Sequence, residues 1–163
     1  LALGDALAIS AMKYKKFGKI DFKKLHPGGS LGAQLKTVED IMIKGKAIPF
    51  VNENMQISKA LKILTKKKLG ILVVINTNKK TVGIITDGQV RRSNQKKINF
   101  LQLNVRKIMT RKPLSIDKNE LAAKALSIMN NHKVTSLLVN NKNNPLKTIG
   151  VIHVHTILQS NIS

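Results

Sequence analysis

The sequence contains no cysteine and no tryptophan, and only one tyrosine and four phenylalanines among its 163 residues. Without cysteine there is no disulfide and no thiolate-held metal, a composition that suits a cytoplasmic protein. Acidic residues are also scarce: eight Asp and Glu face 29 Lys and Arg, for a formal net charge of +21. Long apolar runs are missing as well. None approaches the ~20 residues of a membrane span. The opening segment from Leu1 to Ile9 lacks the basic, apolar and small-residue order of a signal peptide. No membrane partner is expected.

A positive excess of this size raises nucleic acid as a partner. Its distribution argues against that reading. The lysines are scattered along the chain in groups such as Lys15-Lys16, Lys66-Lys67-Lys68 and Lys79-Lys80. Arginine, the better fork for phosphates and base edges, occurs only as Arg91, Arg92, Arg106 and Arg111. Rings for base stacking are few. The charge therefore reads as a solvated basic surface, and no specific nucleic-acid partner is expected.

The chain does contain an internal repeat. Val38-Glu39-Asp40-Ile41-Met42 recurs as Val105-Arg106-Lys107-Ile108-Met109, an offset of 109 − 42 = 67. Thr81-Val82-Gly83-Ile84-Ile85 recurs as Thr148-Ile149-Gly150-Val151-Ile152, again offset by 150 − 83 = 67. Between these anchors each copy carries one apolar stripe at helical spacing. In the first it is Ile57, Ala60, Leu61 and Leu64; in the second it is Leu121, Ala125, Leu126 and Met129. Short β-branched runs follow, Ile71 to Ile75 and Ser136 to Val139, bounded by Asn-rich turns. A further strand ends at Thr86 or His153 and leads into a helix beginning at Gln89 or Thr156. The order strand–helix–strand–strand–helix, used twice, defines a mixed α/β protein of the α+β kind. One copy of roughly 60 residues would be marginal alone, so the copies are expected to pack together.

Upstream, residues 1–17 read as a helix with Leu3, Leu7 and Ala11 on one face and Gly18 as its stop. The segment from Ile20 leads into Leu25-His26-Pro27-Gly28-Gly29-Ser30-Leu31-Gly32. Pro27 disfavours helix at His26, Gly28 and Gly29 permit positive φ, and Ser30 is placed to cap a short helix through Leu35. His26 has an imidazole suited to moving protons near neutral pH. Taken alone it reads first as a turn histidine bonded to backbone. The glycine-rich turn matches neither a Walker motif nor a dinucleotide fingerprint.

Three segments together resemble one family: Leu3-Gly4-Asp5-Ala6-Leu7-Ala8, the His-Pro-Gly-Gly turn, and Asp40-Ile41-Met42. The family is the arabinose-5-phosphate isomerases, and the resemblance runs from Leu1 to about Ile162. It implies a tandem CBS pair preceded by the last helix and turn of a truncated sugar-isomerase domain. The implied divisions are residues 1–36 for the isomerase remnant, 37–99 for the first CBS domain and 100–163 for the second. The rest of the isomerase domain would lie upstream of Leu1. The resemblance also implies a homo-oligomer without a cofactor and a catalytic role for His26 in the intact enzyme. That enzyme interconverts D-ribulose 5-phosphate and D-arabinose 5-phosphate on the way to the octulosonate sugar of lipopolysaccharide. Aldose–ketose isomerisation needs a base, a group for the oxygens and a phosphate anchor. The family's Lys and Glu groups have no match here, since Asp5, Asp21, Glu39 and Asp40 stand elsewhere. The chain alone, which would meet its sugar phosphate only through the missing domain, is expected to be inactive.

Adenosine-binding CBS domains usually carry Gly-x-x-Thr/Ser-x-x-Asp after the third strand. The hydroxyl binds phosphate and the Asp binds ribose. Here Thr86 keeps the hydroxyl in the first copy, and His153 replaces it in the second. Gln89 and Thr156 occupy the carboxylate positions. Losing a charge-assisted bond costs about 1.5–3 kcal/mol, or ten- to a hundredfold in affinity. A cleft lined by Thr86, Gln89, Thr135, Ser136, His153 and Thr156 is expected to take a nucleotide or nucleotide-sugar effector in preference to a plain adenosine nucleotide. His153 and His155 without a nearby acid make a poor zinc site, so no metal is expected. Arg91 and Arg92 read as a solvated helix face. The competing readings are a stand-alone nucleotide sensor, for which the His-Pro-Gly-Gly turn has no use, and a basic nucleic-acid-binding module.

Overall fold

The computed structural model describes residues 2–18, 21, 29–95 and 99–162. His26, Pro27 and Gly28 lie outside the described residues. The chain opens with α1 (Ala2–Tyr14), α2 (Gly29–Gln34) and α3 (Val38–Ile41). The first helix stops earlier than Gly18. Lys16 takes a left-handed φ of 51°. Its amide donates to the Lys13 carbonyl at 3.1 Å, and Phe17 N donates to Met12 O at 2.8 Å. A lysine thus does what glycine usually does at a helix end. Ser30 lies inside α2 instead of capping it.

The first repeat contains β1 (Ile43–Lys44), β2 (Phe50–Asn52), α4 (Ile57–Lys67), β3 (Ile71–Ile75), β4 (Thr81–Thr86) and α5 (Asp87–Asn94). The second contains β5 (Thr110–Arg111), β6 (Ser115–Asp117), α6 (Ala122–His132), β7 (Ser136–Asn140), β8 (Gly150–His153) and α7 (Val154–Gln159). Both α5 and α7 begin two residues before the expected Gln89 and Thr156, because Thr86 and His153 serve as their N-caps. In α6 the stripe is Ala122, Ala125 and Met129; Leu121 is the N-cap residue. Among the described residues no helix is long and apolar enough to cross a membrane.

The strands form two four-stranded sheets, ordered β2-β3-β4-β5 and β1-β8-β7-β6. Side chains on a strand alternate between faces, and this builds three cores. Leu72 and Val74 of β3 pack with Ile57, Ala60 and Leu64 of α4. Leu137 and Val139 of β7 pack with Ala122, Ala125 and Met129 of α6. The opposite faces meet each other through Ile71, Val73, Leu138 and Val151, with Ile48 between them. The sheets lie face to face and the helices cover the outside.

The short leading strands are exchanged between the repeats. β1 pairs antiparallel with β8, Ile43 opposite Val151, and β5 pairs with β4, Thr110 opposite Ile84. The exchange extends to the segments before these strands. Val38 N donates to Glu120 O at 2.8 Å and Glu39 N to Lys118 O at 2.9 Å. Reciprocally, Val105 N donates to Met55 O at 2.8 Å and Arg106 N to Glu53 O at 3.0 Å. Val38 and Met42 belong to the core of the second repeat, and Val105, Ile108 and Met109 to that of the first. Charge fits the exchange. Lys118 Nζ reaches both Glu39 carboxylate oxygens at 3.1 Å. The equivalent positions of the other arm hold Arg106 and Glu53, with the polarity reversed. An arm returning to its own repeat would meet like charge, Glu39 at Glu53 or Arg106 at Lys118.

The two repeated motifs are also partners. A Cβ added at Gly83 would lie 2.7 Å from Thr110 O and 2.9 Å from Met109 Sδ. A Cβ at Gly150 would lie 3.0 Å from Met42 Cγ and 3.1 Å from Ile43 O. Each glycine therefore admits the methionine and exchanged strand of the other repeat. Gly83→Ala is expected to destabilise the protein by about 1–3 kcal/mol through overpacking. Gly4→Ala, whose added Cβ meets nothing within 4 Å, should be neutral or stabilising, since alanine favours a helix interior. Urea unfolding of both variants checks this; an unchanged midpoint for Gly83→Ala would remove the close-approach argument.

Candidate functional site

The six ligand residues expected from sequence fall into two groups, one per repeat. Thr86 ends β4, and its hydroxyl accepts from Gln89 N at 3.4 Å while Gln89 Oε1 accepts from Thr86 N at 3.4 Å. This reciprocal box closes the first turn of α5. The other end of the Gln89 amide is also engaged: Nε2 donates to the Ile108 carbonyl and, at 2.9 Å, to Thr110 Oγ1. Gln89 therefore ties α5 to the arm of the second repeat. An Asp at this position could accept bonds but could not make this tie, because its carboxylate has no N–H to donate.

In the second repeat Ser136 pairs with His153 across β7 and β8. The Thr135 carbonyl accepts from Val154 N at 2.9 Å. Thr156 lies in the first turn of α7, where its carbonyl accepts from Ser160 Oγ at 2.9 Å. His153 caps α7 by accepting from His155 N at its Nδ1, 3.2 Å away, and the two rings stack with centroids 5.0 Å apart. Burial, helped by the neighbouring His155, holds the His153 imidazole below its ordinary range. The capping bond requires an unprotonated Nδ1, which the lowered value favours.

A cavity of 470 Å³ opens at the other end of these strands and includes none of the six expected residues. Its walls come from both repeats, with Thr81 and Thr148 between them. The sequence offered one signal for it: Thr81 and Thr148 are the first, equivalent residues of the repeated Thr-x-Gly-x-Ile pattern. The flanking loops carry no repeated motif.

Comparison with known proteins fits this architecture. The CBS domain family matches residues 38–95 and 105–162. The chain belongs to the CBS domain family, as a tandem pair. Among curated proteins it is 35% identical over 163 residues to the arabinose 5-phosphate isomerase KdsD of Yersinia pestis, covering 99% of this chain and 49% of that protein. It is 36% identical to the same enzyme of Salmonella typhi, with the same coverage. The chain spans about half the length of these relatives. Among solved structures it is similar to CBSX2 in complex with AMP, at 25% identity and a TM-score of 0.64, over 76% of this chain and 94% of that one. The CBS pair of MJ0100, solved with 5′-methylthioadenosine and S-adenosyl-L-methionine, shares the fold at a TM-score of 0.67 and 22% identity, over 76% and 94% of the two chains.

The His153 cap should make stability depend on pH. The folded-state pKa lies below the unfolded value near 6.5, so the unfolded chain binds more protons in the window between the two. Stability is then fully present above pH ~6.5 and falls as the pH drops through that window. His153→Thr, which copies the Thr86 cap of the first repeat, should keep α7 and flatten this slope. Denaturant unfolding between pH 5 and 7.5 measures it; equal slopes for the two proteins would exclude His153 as the titrating group.

Proposed function

We propose that this chain is the carboxy-terminal regulatory CBS pair of an arabinose 5-phosphate isomerase. The whole enzyme would interconvert D-ribulose 5-phosphate and D-arabinose 5-phosphate in the cytoplasm, serving lipopolysaccharide synthesis. The observation that carries the reading is the match to two such isomerases along 99% of the chain. The first helix supports it. α1 buries no residue, and Leu3 and Leu7 are 76% and 64% exposed. An apolar helix left this bare suits a partner sheet in an adjoining sugar-isomerase domain. In this reading residues 1–36 complete that domain, 37–99 and 100–163 are the CBS domains, and His26 serves proton transfer or positions the sugar hydroxyls.

The purified chain should show no interconversion of the two pentose phosphates; turnover above the uncatalysed rate would contradict the proposal. With a sugar-isomerase domain fused ahead of Leu1, His26→Ala should lower turnover about 10²-fold or more. Unchanged turnover would make His26 structural.

A regulatory ligand at the six residues is the second element of the proposal. AMP and S-adenosyl-L-methionine in similar structures support a nucleotide-like effector. Gln89 is committed to Ile108 and Thr110 and Thr156 is uncharged, so plain AMP should bind weakly here. Thr156→Asp adds an acid to the first turn of α7, where the helix favours negative charge. It should strengthen AMP binding about tenfold or more. Calorimetric titration reads this directly; an AMP affinity that Thr156→Asp leaves unchanged would contradict it.

A further inference from the structure

The repeat offset changes within the chain. The motifs at both ends of the copies are 67 residues apart, yet β2 and β6 start 115 − 50 = 65 apart, and α4 and α6 start 122 − 57 = 65 apart. Two compensating length changes produce this. The loop between β1 and β2 has two more residues than its counterpart between β5 and β6, and the turn from β7 to Thr148 has two more than the turn from β3 to Thr81. The longer first-copy loop buries Ile48 between the sheets. Its shorter counterpart, Lys112-Pro113-Leu114, leaves Leu114 exposed. The lengthened turn carries Pro145 and Leu146. The shortened loop and the lengthened turn are two walls of the 470 Å³ cavity, so the cavity exists where the two copies differ.

The walls are fixed before any ligand arrives. Asp117 accepts Lys142 N at 2.8 Å, Asn140 Nδ2 donates to Pro145 O at 3.1 Å, and Thr81 N donates to Leu146 O at 2.8 Å. Leu138 N holds the opposite wall through Leu114 O at 3.1 Å.

The chemistry of the lining is one-sided. Arg111 and Lys112 both line the cavity, and no acidic residue is among its described lining residues. Neither cationic group has a hydrogen-bond or ion-pair partner among the described residues. Thr81 and Thr148 join through their hydroxyls at 2.8 Å, and Thr81 Oγ1 also accepts from Thr148 N at 3.3 Å. One hydroxyl hydrogen links the pair, so the other is left to donate. Ser115 Oγ accepts from Asn140 Nδ2 at 3.1 Å and keeps its own O–H. Pro113, Leu138 and Leu146 supply apolar surface. The volume falls within the roughly 300–1,000 Å³ usual for small-ligand pockets.

We propose that this cavity binds a phosphate monoester. Arg111 and Lys112 would hold the phosphate, and the hydroxyls and apolar wall would take a sugar or nucleoside body. The site is distinct from the six residues at the other end of the strands and independent of the isomerase reading. Because its walls come from both repeats, an occupant would bind them together.

Titration calorimetry of the whole chain with inorganic phosphate, ribose 5-phosphate and AMP tests the proposal. At least one ester should bind about tenfold or more tighter than inorganic phosphate. The tighter ester identifies the body as sugar or nucleoside. Arg111→Glu with Lys112→Glu should weaken that ester about tenfold or more, while the same reversal at Lys59 and Lys62 on α4 should change it less than threefold. Leu146→Trp, which fills the cavity from an exposed loop, should abolish the preference for the ester over phosphate. Two outcomes overturn the proposal: neither ester exceeds inorganic phosphate, or reversal at Lys59 and Lys62 weakens binding as much as reversal at Arg111 and Lys112.

Discussion

The contact on which the structure depends is the reciprocal seating of one repeat's methionine on the other repeat's glycine. Met109 lies over Gly83 and Met42 over Gly150, each at a distance that admits no Cβ. This close approach lets a two-residue strand pair with the edge of the opposite sheet. Once the strand is in place, the preceding segment sends Val38 or Val105 into the opposite core. Neither repeat completes its core alone. A domain of about 60 residues buries too little surface for comfortable stability, and the exchange joins the two into one packed unit.

Much of this was legible in the sequence. The α4 stripe, the buried runs of β3 and β7, and the pairing of two copies follow from periodicity and length. The repeated Ile-Met and Thr-x-Gly-x-Ile patterns were visible, but their relationship was not. They read as parallel landmarks, whereas the methionine motif of each copy packs against the glycine motif of the other. Strands as short as β1 and β5 carry no period, so nothing local announces their partner. The equal offsets at the two anchors also concealed the opposed length changes between them. The end of α1 was misread because Lys16 adopts the left-handed conformation there, as Lys68 and Lys133 do at the ends of α4 and α6. Composition rules look for glycine there.

The candidate sites show the same division. The Gly-x-x-Thr motif drew attention to Thr86 and Gln89, which close the first turn of α5. What it could not show is that the Gln89 amide spans to the exchanged arm, a contact that exists only after two distant segments meet. Gln89 thus has a structural use: its amide is a donor that fastens the repeats. The cavity was illegible for a related reason, since its walls are loops that differ between the copies. In this pair the symmetric residues build the frame, and the departures from symmetry build the cavity.

The interlocking of the arms is open to direct measurement by native-state hydrogen exchange. The Val38 and Val105 amides, bonded to Glu120 and Met55 of the opposite repeats, should exchange only through global unfolding. Their opening free energy should equal that of Leu72 in β3 and Leu137 in β7. If the two valine amides exchange through local opening, orders of magnitude faster than those strand amides, the arms are appendages and the account of the pair as one interlocked unit is wrong.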